Sequence, residues 1–399
     1  MYSSDSYMSR QAPVTRSNPE FCKAGTAAKR ANVPTMNDDL ARYHRQMLLP
    51  GFGADAQRRL LGSTALVLGC GALGSVAADM LARAGVGHLV IVDRDFIELS
   101  NLQRQVLFDE RDVADAIPKA EAAKRKIAKI NSDVRVTAIV DDINHANIER
   151  FAAGADILVD GLDNLETRYL ANDLAVKNGL PYVYGAAVGM TGMALPILPH
   201  TDSDAAWETT AEGDLATPCL RCLFEELPPP GTSPTCDTVG VISSAVAIVA
   251  NFQVAETLKI LTGNFERVSR TILNLDLWAN EILQLKVADA YDQGDCPCCK
   301  RRRFEFLDGK AGSRAASLCG RNAIQLRHGQ HADSIDLDAV AMRLRDHGDI
   351  SVNEFMLRAH ITDSDTQYEI TLFPNGRAII KGTDEPAVAR GIFAKYVGN

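Results

Sequence analysis

The chain has 399 residues, 46% of them hydrophobic and 23% charged, which is enough for a sizeable core and long for one average domain. Its formal net charge of −9 argues against a nucleic-acid binder that relies on broad basic surface. The longest apolar run, VGVISSAVAIVANF (239–252), is too short to span a bilayer, and no apolar core of a secretory signal follows the first basic residues.

Residues 1–36, rich in Ser, Pro, Asn and Thr without periodicity, read as a disordered tail, with a transit peptide as the second reading. From 37 to 62 the pattern is helical and breaks at Pro50–Gly53. Then TALVLGC (strand), GALGSVAADMLARAG (helix) and HLVIVD (strand) form a βαβ unit. PKAEAAKRKIAKIN (118–131) reads as helix, VRVTAIVD and ADILVDGLD as strands, TRYLANDLAVKNG as helix and PYVYGAAVG as strand. This alternation predicts an α/β fold with a Rossmann-like, doubly wound, mostly parallel sheet.

Residues 200–236 break the rhythm. They are rich in Pro, Gly, Thr and acids and read as surface loops or a flexible crossover, with 200–218 as a harmless surface insertion and a cover over bound ligand as the second reading. A helix over about 238–262 resumes the core, followed by strands TILNLDL and EILQLKV. The expected division is a tail (1–36), a nucleotide domain (37–304) and a small α+β domain (305–399). The last is read as a strand, the helix IDLDAVAMRLRDHG, strands FMLRAHIT, YEITLF and RAIIKG, and a final helix, with Pro374-Asn375-Gly376 as a hairpin turn.

Gly69-x-Gly71-x-x-Gly74 follows a strand and opens a helix, and Asp93 ends the next strand roughly 20 residues beyond. That pattern binds a nucleotide ribose, whether of NAD or of ATP. The stretch DRDFIELSNLQRQ (93–105) adds Asn101, Gln103 and Arg104, Lys119 opens a helix, and Asp163 and Asn164 follow a buried strand. Successive strand ends are thus expected to deliver two cations and an acid to one crevice. Hydride transfer needs little positive charge there. A triphosphate needs much, plus a carboxylate for magnesium.

Cys219-Leu-Arg-Cys222 and Cys296-Pro-Cys298-Cys299 form paired CxxC motifs. In a chain without a secretory signal these point to structural zinc on Cys219, Cys222, Cys296 and Cys299, because four thiolates leave no open position. The alternative is a dithiol redox site, and Cys298 is an extra thiol able to replace one ligand. Cysteine usage of this kind suits a reducing, cytoplasmic setting. Cys236, after a Pro-rich loop and before a helix, is read either as a transfer thiol or as an inert one. Cys70 reads as a packing residue, Cys22 lies in the tail, and Cys319 has no assigned partner.

RYHRQ (42–46), GCGALG (69–74), DRDFIELSNLQRQ, IPKAEAA (117–123), GLDN (161–164) and the paired CxxC motifs together resemble the ThiF/MoeB family, over about residues 37–303. Its members are adenylyltransferases of sulfur-carrier proteins, related to ubiquitin-activating enzymes. The resemblance implies a homodimer that binds Mg-ATP over Gly71 and Gly74 and adenylates the C-terminal glycine of a ubiquitin-fold, ThiS/MoaD-like carrier ending in Gly-Gly, for thiamine or molybdopterin type sulfur transfer. By position, Asp93 would hold the ribose, Arg104 and Lys119 the phosphates, with Asn101 beside them, and Asp163 magnesium. Arg45 would reach the neighbouring subunit's ATP site, and Cys236 occupies the crossover-loop position that in some members links to the carrier. Residues 305–399 lack the CxxxxxR loop of a rhodanese, so a separate sulfur donor is expected, and the small domain is expected to recruit a partner. A tRNA- or peptide-modifying relative, a non-catalytic scaffold and an NAD-dependent oxidoreductase are the competing readings; no membrane or nucleic-acid partner is expected.

Overall fold

In the computed structural model, residues 38–201, 205–211, 213–225, 236–311, 317–318, 322–327, 335–363 and 366–397 are described. The expected tail, Cys22, Cys319 and the Pro-rich stretch 226–235 lie outside them. Contacts divide the chain after Arg42; of the first unit only the opening of a 3₁₀ helix, Asp38–Tyr43, is described.

The second unit begins with α1 (His44–Met47), α2 (Gly53–Gly62), β1 (Thr64–Leu68), α3 (Ala72–Ala84) and β2 (His88–Val92). Then come α4 (Glu110–Ala114), α5 (Lys119–Ile130), β3 (Arg135–Ile139), α6 (Ile148–Phe151), β4 (Ile157–Asp160), α7 (Leu165–Asn178), β5 (Tyr182–Val188) and β6 (Thr191–Ile197). After α8 (Leu220–Leu223), α9 (Cys236–Val239) and α10 (Ser243–Leu261), β7 (Thr271–Asp276), β8 (Glu281–Lys286) and α11 (Asp289–Gln293) complete it. The eight strands run in the order β3-β2-β1-β4-β5-β6-β7-β8, parallel from β3 to β5 and antiparallel from β5 to β8.

Strand alternation builds both layers. Ala65 and Val67 of β1 enter a core with α3, α5 and Val254 and Ile260 of α10, while Leu66 and Leu68 enter the opposite core with α6 and α7. Phe306 and Leu307 pack in that second core as well. By length and composition α10 is apolar enough to cross a membrane, yet it lies against α3, β5 and β6.

Three readings need correction. The helix expected over 238–262 is two helices, because Gly240 O accepts from Gly189 N at 2.8 Å and Ile242 N donates to Gly189 O at 2.9 Å, drawing 240–242 out of the helical path. The hairpin partner β6 went unread, since MTGMALPI carries Gly and Pro that blur its alternation. The surface insertion is anchored in the core: Trp207 and Leu215 are buried there, and Trp207 Nε1 donates to Pro199 O at 2.9 Å.

The second sheet comprises β9 (Ser317–Leu318), β10 (Ala323–Arg327), β11 (Gly348–Val352), β12 (Leu357–Asp363), β13 (Thr366–Leu372) and β14 (Arg377–Lys381), with α12 (Leu337–Leu344) and α13 (Pro386–Tyr396). Its order is β11-β12-β13-β14-β10-β9, every neighbouring pair antiparallel. Pro374-Asn375-Gly376 turns β13 into β14 as expected, whereas the expected helix IDLDAVAMRLRDHG ends at Leu344 and its last residue, Gly348, opens β11. Ile324, Ala359, Ile361, Ile370 and Ile380 pack with both helices. On the other face, Ala323 and Ile379 join Phe96, Met356 and Phe373 in a cluster that seals this sheet to the loop after β2.

Candidate functional site

The glycine turn sits at the carboxyl end of β1, where parallel α/β sheets bind ligands. Its glycines serve different ends. Gly69 has φ +85° and a Cβ there would lie 2.6 Å from Gly161 O; a Cβ at Gly74 would lie 2.0 Å from Gly69 O. Both are bare because backbone presses on backbone. Among the described residues a Cβ on Gly71 would meet no atom nearer than 3.9 Å, leaving space open above the turn.

Around this opening the chain gathers polar groups. Asp93 is 9% exposed; its carboxylate accepts from Cys70 N at 2.6 Å and Asp95 N at 2.7 Å, tying the end of β2 to the turn. Burial pushes the Asp93 carboxyl up, and Lys119 pulls it back. Lys119, 3% exposed at the start of α5, pairs with Asp95 at 3.2 Å, and its amide donates to Asp95 O. Asn101 is buried and accepts from Glu98 N at 3.1 Å in a capping box, which shapes the loop carrying Arg104. Arg104 is half-buried and donates to Ser100 O at 3.0 Å.

Asp163 is exposed after β4 and accepts from Asn164, whose own carbonyl caps α7 by accepting from Thr167 N at 2.8 Å. The expectation of cations at successive strand ends changes in detail: Arg104 and Lys119 both lie in the crossover between β2 and β3, and only Asp163 follows another strand.

Sequence reasoning missed several residues here. Gln105 is 3% exposed, places Nε2 3.9 Å from the open Cβ position of Gly71, and leaves Oε1 without a hydrogen-bond partner among the described residues. A buried orphan acceptor beside empty space marks a ligand-facing group. Arg168 binds Asp160 at 3.2 Å, Leu162 O at 2.7 Å and Gly185 O at 2.9 Å, and Tyr182 and Gln253 add bonds to Asp160. This network fixes the loop that presents Asp163. Gln105 lay inside a quoted motif; Arg168 was only one helix residue among several.

Arg45 is not brought to this chain's own turn. It is exposed on α1, and neighbouring Gln46 donates to Ala84 O at the far end of α3, about 20 Å along a helix of that length. Cys236 is half-buried at the first position of α9, with Sγ 3.4 Å from Ala187 O.

Cys219, Cys222, Cys296 and Cys299 have sulfurs mutually within 4.8 Å, with pairs at 3.8, 3.6 and 3.3 Å. A tetrahedral zinc with Zn–S bonds of about 2.3 Å needs sulfurs about 3.8 Å apart, so the cluster fits the ion. The fifth thiol, Cys298, is outside this quartet and accepts from Asn172 Nδ2 at 3.4 Å.

A model of the ThiF family matches residues 43–298, nearly two thirds of the chain and the span holding every group above except Cys299. The chain belongs to the ThiF family. Across 358 residues it is 42% identical to the sulfur carrier protein ThiS adenylyltransferase of Bacillus subtilis, covering 90% of this chain and 99% of that protein. To the SAMP-activating enzyme E1 of Haloferax volcanii it is 37% identical over 65% of this chain and 88% of that one. Among solved structures, E. coli MccB with ATP shares the fold at a TM-score of 0.54 and 23% identity, covering 67% of this chain and 75% of that chain. The ThiF-family match ends at residue 298, whereas the Bacillus alignment runs on into the second sheet.

Proposed function

We propose that this ThiF-family chain is an ATP-dependent adenylyltransferase of a small ubiquitin-fold sulfur carrier of the ThiS/MoaD type. The observation that carries the reading is its 42% identity to a ThiS adenylyltransferase along 99% of that relative. The open space over Gly71, with Gln105 Nε2 and Gly161 O at its edge, supports it. Domain 37–304 is the adenylating unit and 305–399 an appended domain. A cytoplasmic setting keeps the zinc thiolates reduced.

The carrier's terminal carboxylate is ionised at neutral pH, so attack needs no general base. One carboxylate oxygen bonds to the α-phosphorus, the bond from that phosphorus to the β-phosphate bridging oxygen breaks, and pyrophosphate leaves with the electron pair. The task is to align two anions and offset their charge. Asp93 holds the ribose, Lys119 and Arg104 the phosphates, with Asn101 shaping the loop between them, and the exposed Asp163 holds magnesium. Zinc on Cys219, Cys222, Cys296 and Cys299 ties two chain segments together and takes no part in the chemistry. Cys236 stays outside this step, which needs no thiol; sulfur is supplied afterwards by a separate donor.

Arg45 completes the site of a second subunit. This rests on its distance from its own turn and on neighbouring Leu48 and Leu49, 63% and 57% exposed, which suit burial in a homodimer.

Pyrophosphate–ATP exchange with ThiS- and MoaD-type carriers tests the assignment. Arg104→Ala and Asp163→Ala should each lower carrier-dependent exchange by about a hundredfold or more. Wild-type rates in either variant would remove its residue from the site, and a wild-type enzyme inert with every such carrier would sink the assignment.

A further inference from the structure

The loop leaving β2 is held from two sides. On the nucleotide side Asp93 binds Cys70 N and Asp95 binds Lys119. On the other, Arg377 Nη2 donates to Arg94 O at 2.9 Å, Gln325 meets Arg94 at 3.4 Å and Asp142 at 3.3 Å, and Lys381 donates to Glu98 at 3.0 Å. Between them the ring of Phe96 packs 5.6 Å from that of Phe373, within the cluster that includes Ala323 and Ile379. Residues 94, 96 and 98 are thus tied to the second sheet as well as to Asp142, Pro118 and Asn101 respectively, while 93 and 95 serve the turn and Lys119.

Arg377 is a costly way to build a packing contact. It is 1% exposed, lies 3.6 Å over the Phe373 ring, and leaves Nε and Nη1 without hydrogen-bond partners among the described residues. A buried guanidinium with orphan donors costs stability. Its directed bond lands on the one carbonyl between Asp93 and Asp95. Burial brings its pKa down to about 10, so it still carries its charge at neutral pH. Lys381 ends the same arrangement on Glu98, the residue that caps the turn containing Asn101.

We infer that the C-terminal sheet is a brace for the ATP loop, with Arg377 and Lys381 as positioning residues that set Asp93, Asp95 and Lys119 against the nucleotide. The inference rests on the adenylating role proposed above and gives the C-terminal domain a task other than recruiting the carrier.

Full-length Arg377→Met, Arg377→Lys and Lys381→Met are compared with wild type by direct titration with Mg-ATP, by the carrier's KM in pyrophosphate exchange, and by thermal melting. The expected result is Mg-ATP binding weakened by about tenfold in Arg377→Met and Lys381→Met, partial recovery in Arg377→Lys, and an unchanged carrier KM. Should Arg377→Met not fold, Lys381→Met, whose side chain is 35% exposed, decides the matter. Wild-type ATP affinity in folded variants, or an effect confined to the carrier's KM, overturns the brace while leaving adenylation intact. A wild-type chain that does not bind Mg-ATP overturns the adenylating reading and the brace with it.

Discussion

Gly74 and Gly71 belong to one motif yet answer to different neighbours. A methyl group at 74 would be driven to 2.0 Å from Gly69 O, where neither backbone can yield easily. Gly74→Ala should therefore lose about 1–3 kcal/mol or more, read as a lowered Tm. Gly71→Ala should lose less stability but bind ATP markedly more weakly, since its methyl group enters space no protein atom claims. A Gly71→Ala enzyme with wild-type ATP affinity would show that the nucleotide lies elsewhere. The spacing of these glycines was legible in the sequence; which of them faces a ligand was not, because that depends on Gly161 arriving from β4. Lys119 makes the same point: its charge was readable, but its burial against Asp95 needed the fold.

At the scale of elements, the paired cysteines bring the short α8 beside the turn after α11. Removing zinc with a chelator, or Cys222→Ser, should cost about 3 kcal/mol and lower Tm by roughly 6–12 °C. Metal analysis should give one zinc per chain, and a metal-free protein with an unchanged Tm would refute a structural ion. The CxxC spacing selected the four cysteines that cluster because each pair is local. Cys298 was excluded only by the side-chain directions that point it at Asn172. The near-continuous apolar runs of β1 and β2 are legible as strands, whereas β6 carries Gly and Pro within its run and the mostly exposed β11 has no apolar pattern.

For the whole molecule, the placement of Arg45 about 20 Å along α3 from its own turn gives a test of assembly. Arg45→Ala and Asp163→Ala homodimers should each be inactive in carrier-dependent exchange. Mixing and reassociating them should restore about a quarter of wild-type activity, because half the dimers form one intact site of two. No recovery in verified mixed dimers would place Arg45 outside the partner's site.

Contiguous residues were sufficient for the parallel strands, the glycine turn and the cysteines that cluster, since periodicity and short spacings are properties of adjacent positions. Pairing at a distance was beyond them. Asp95 as the partner of Lys119, Arg377 reaching Arg94 and the core anchoring of Trp207 arise where remote segments meet at angles no local pattern encodes. The second sheet, legible only as a separate small domain, becomes part of the site's framework because its face closes over the loop after β2.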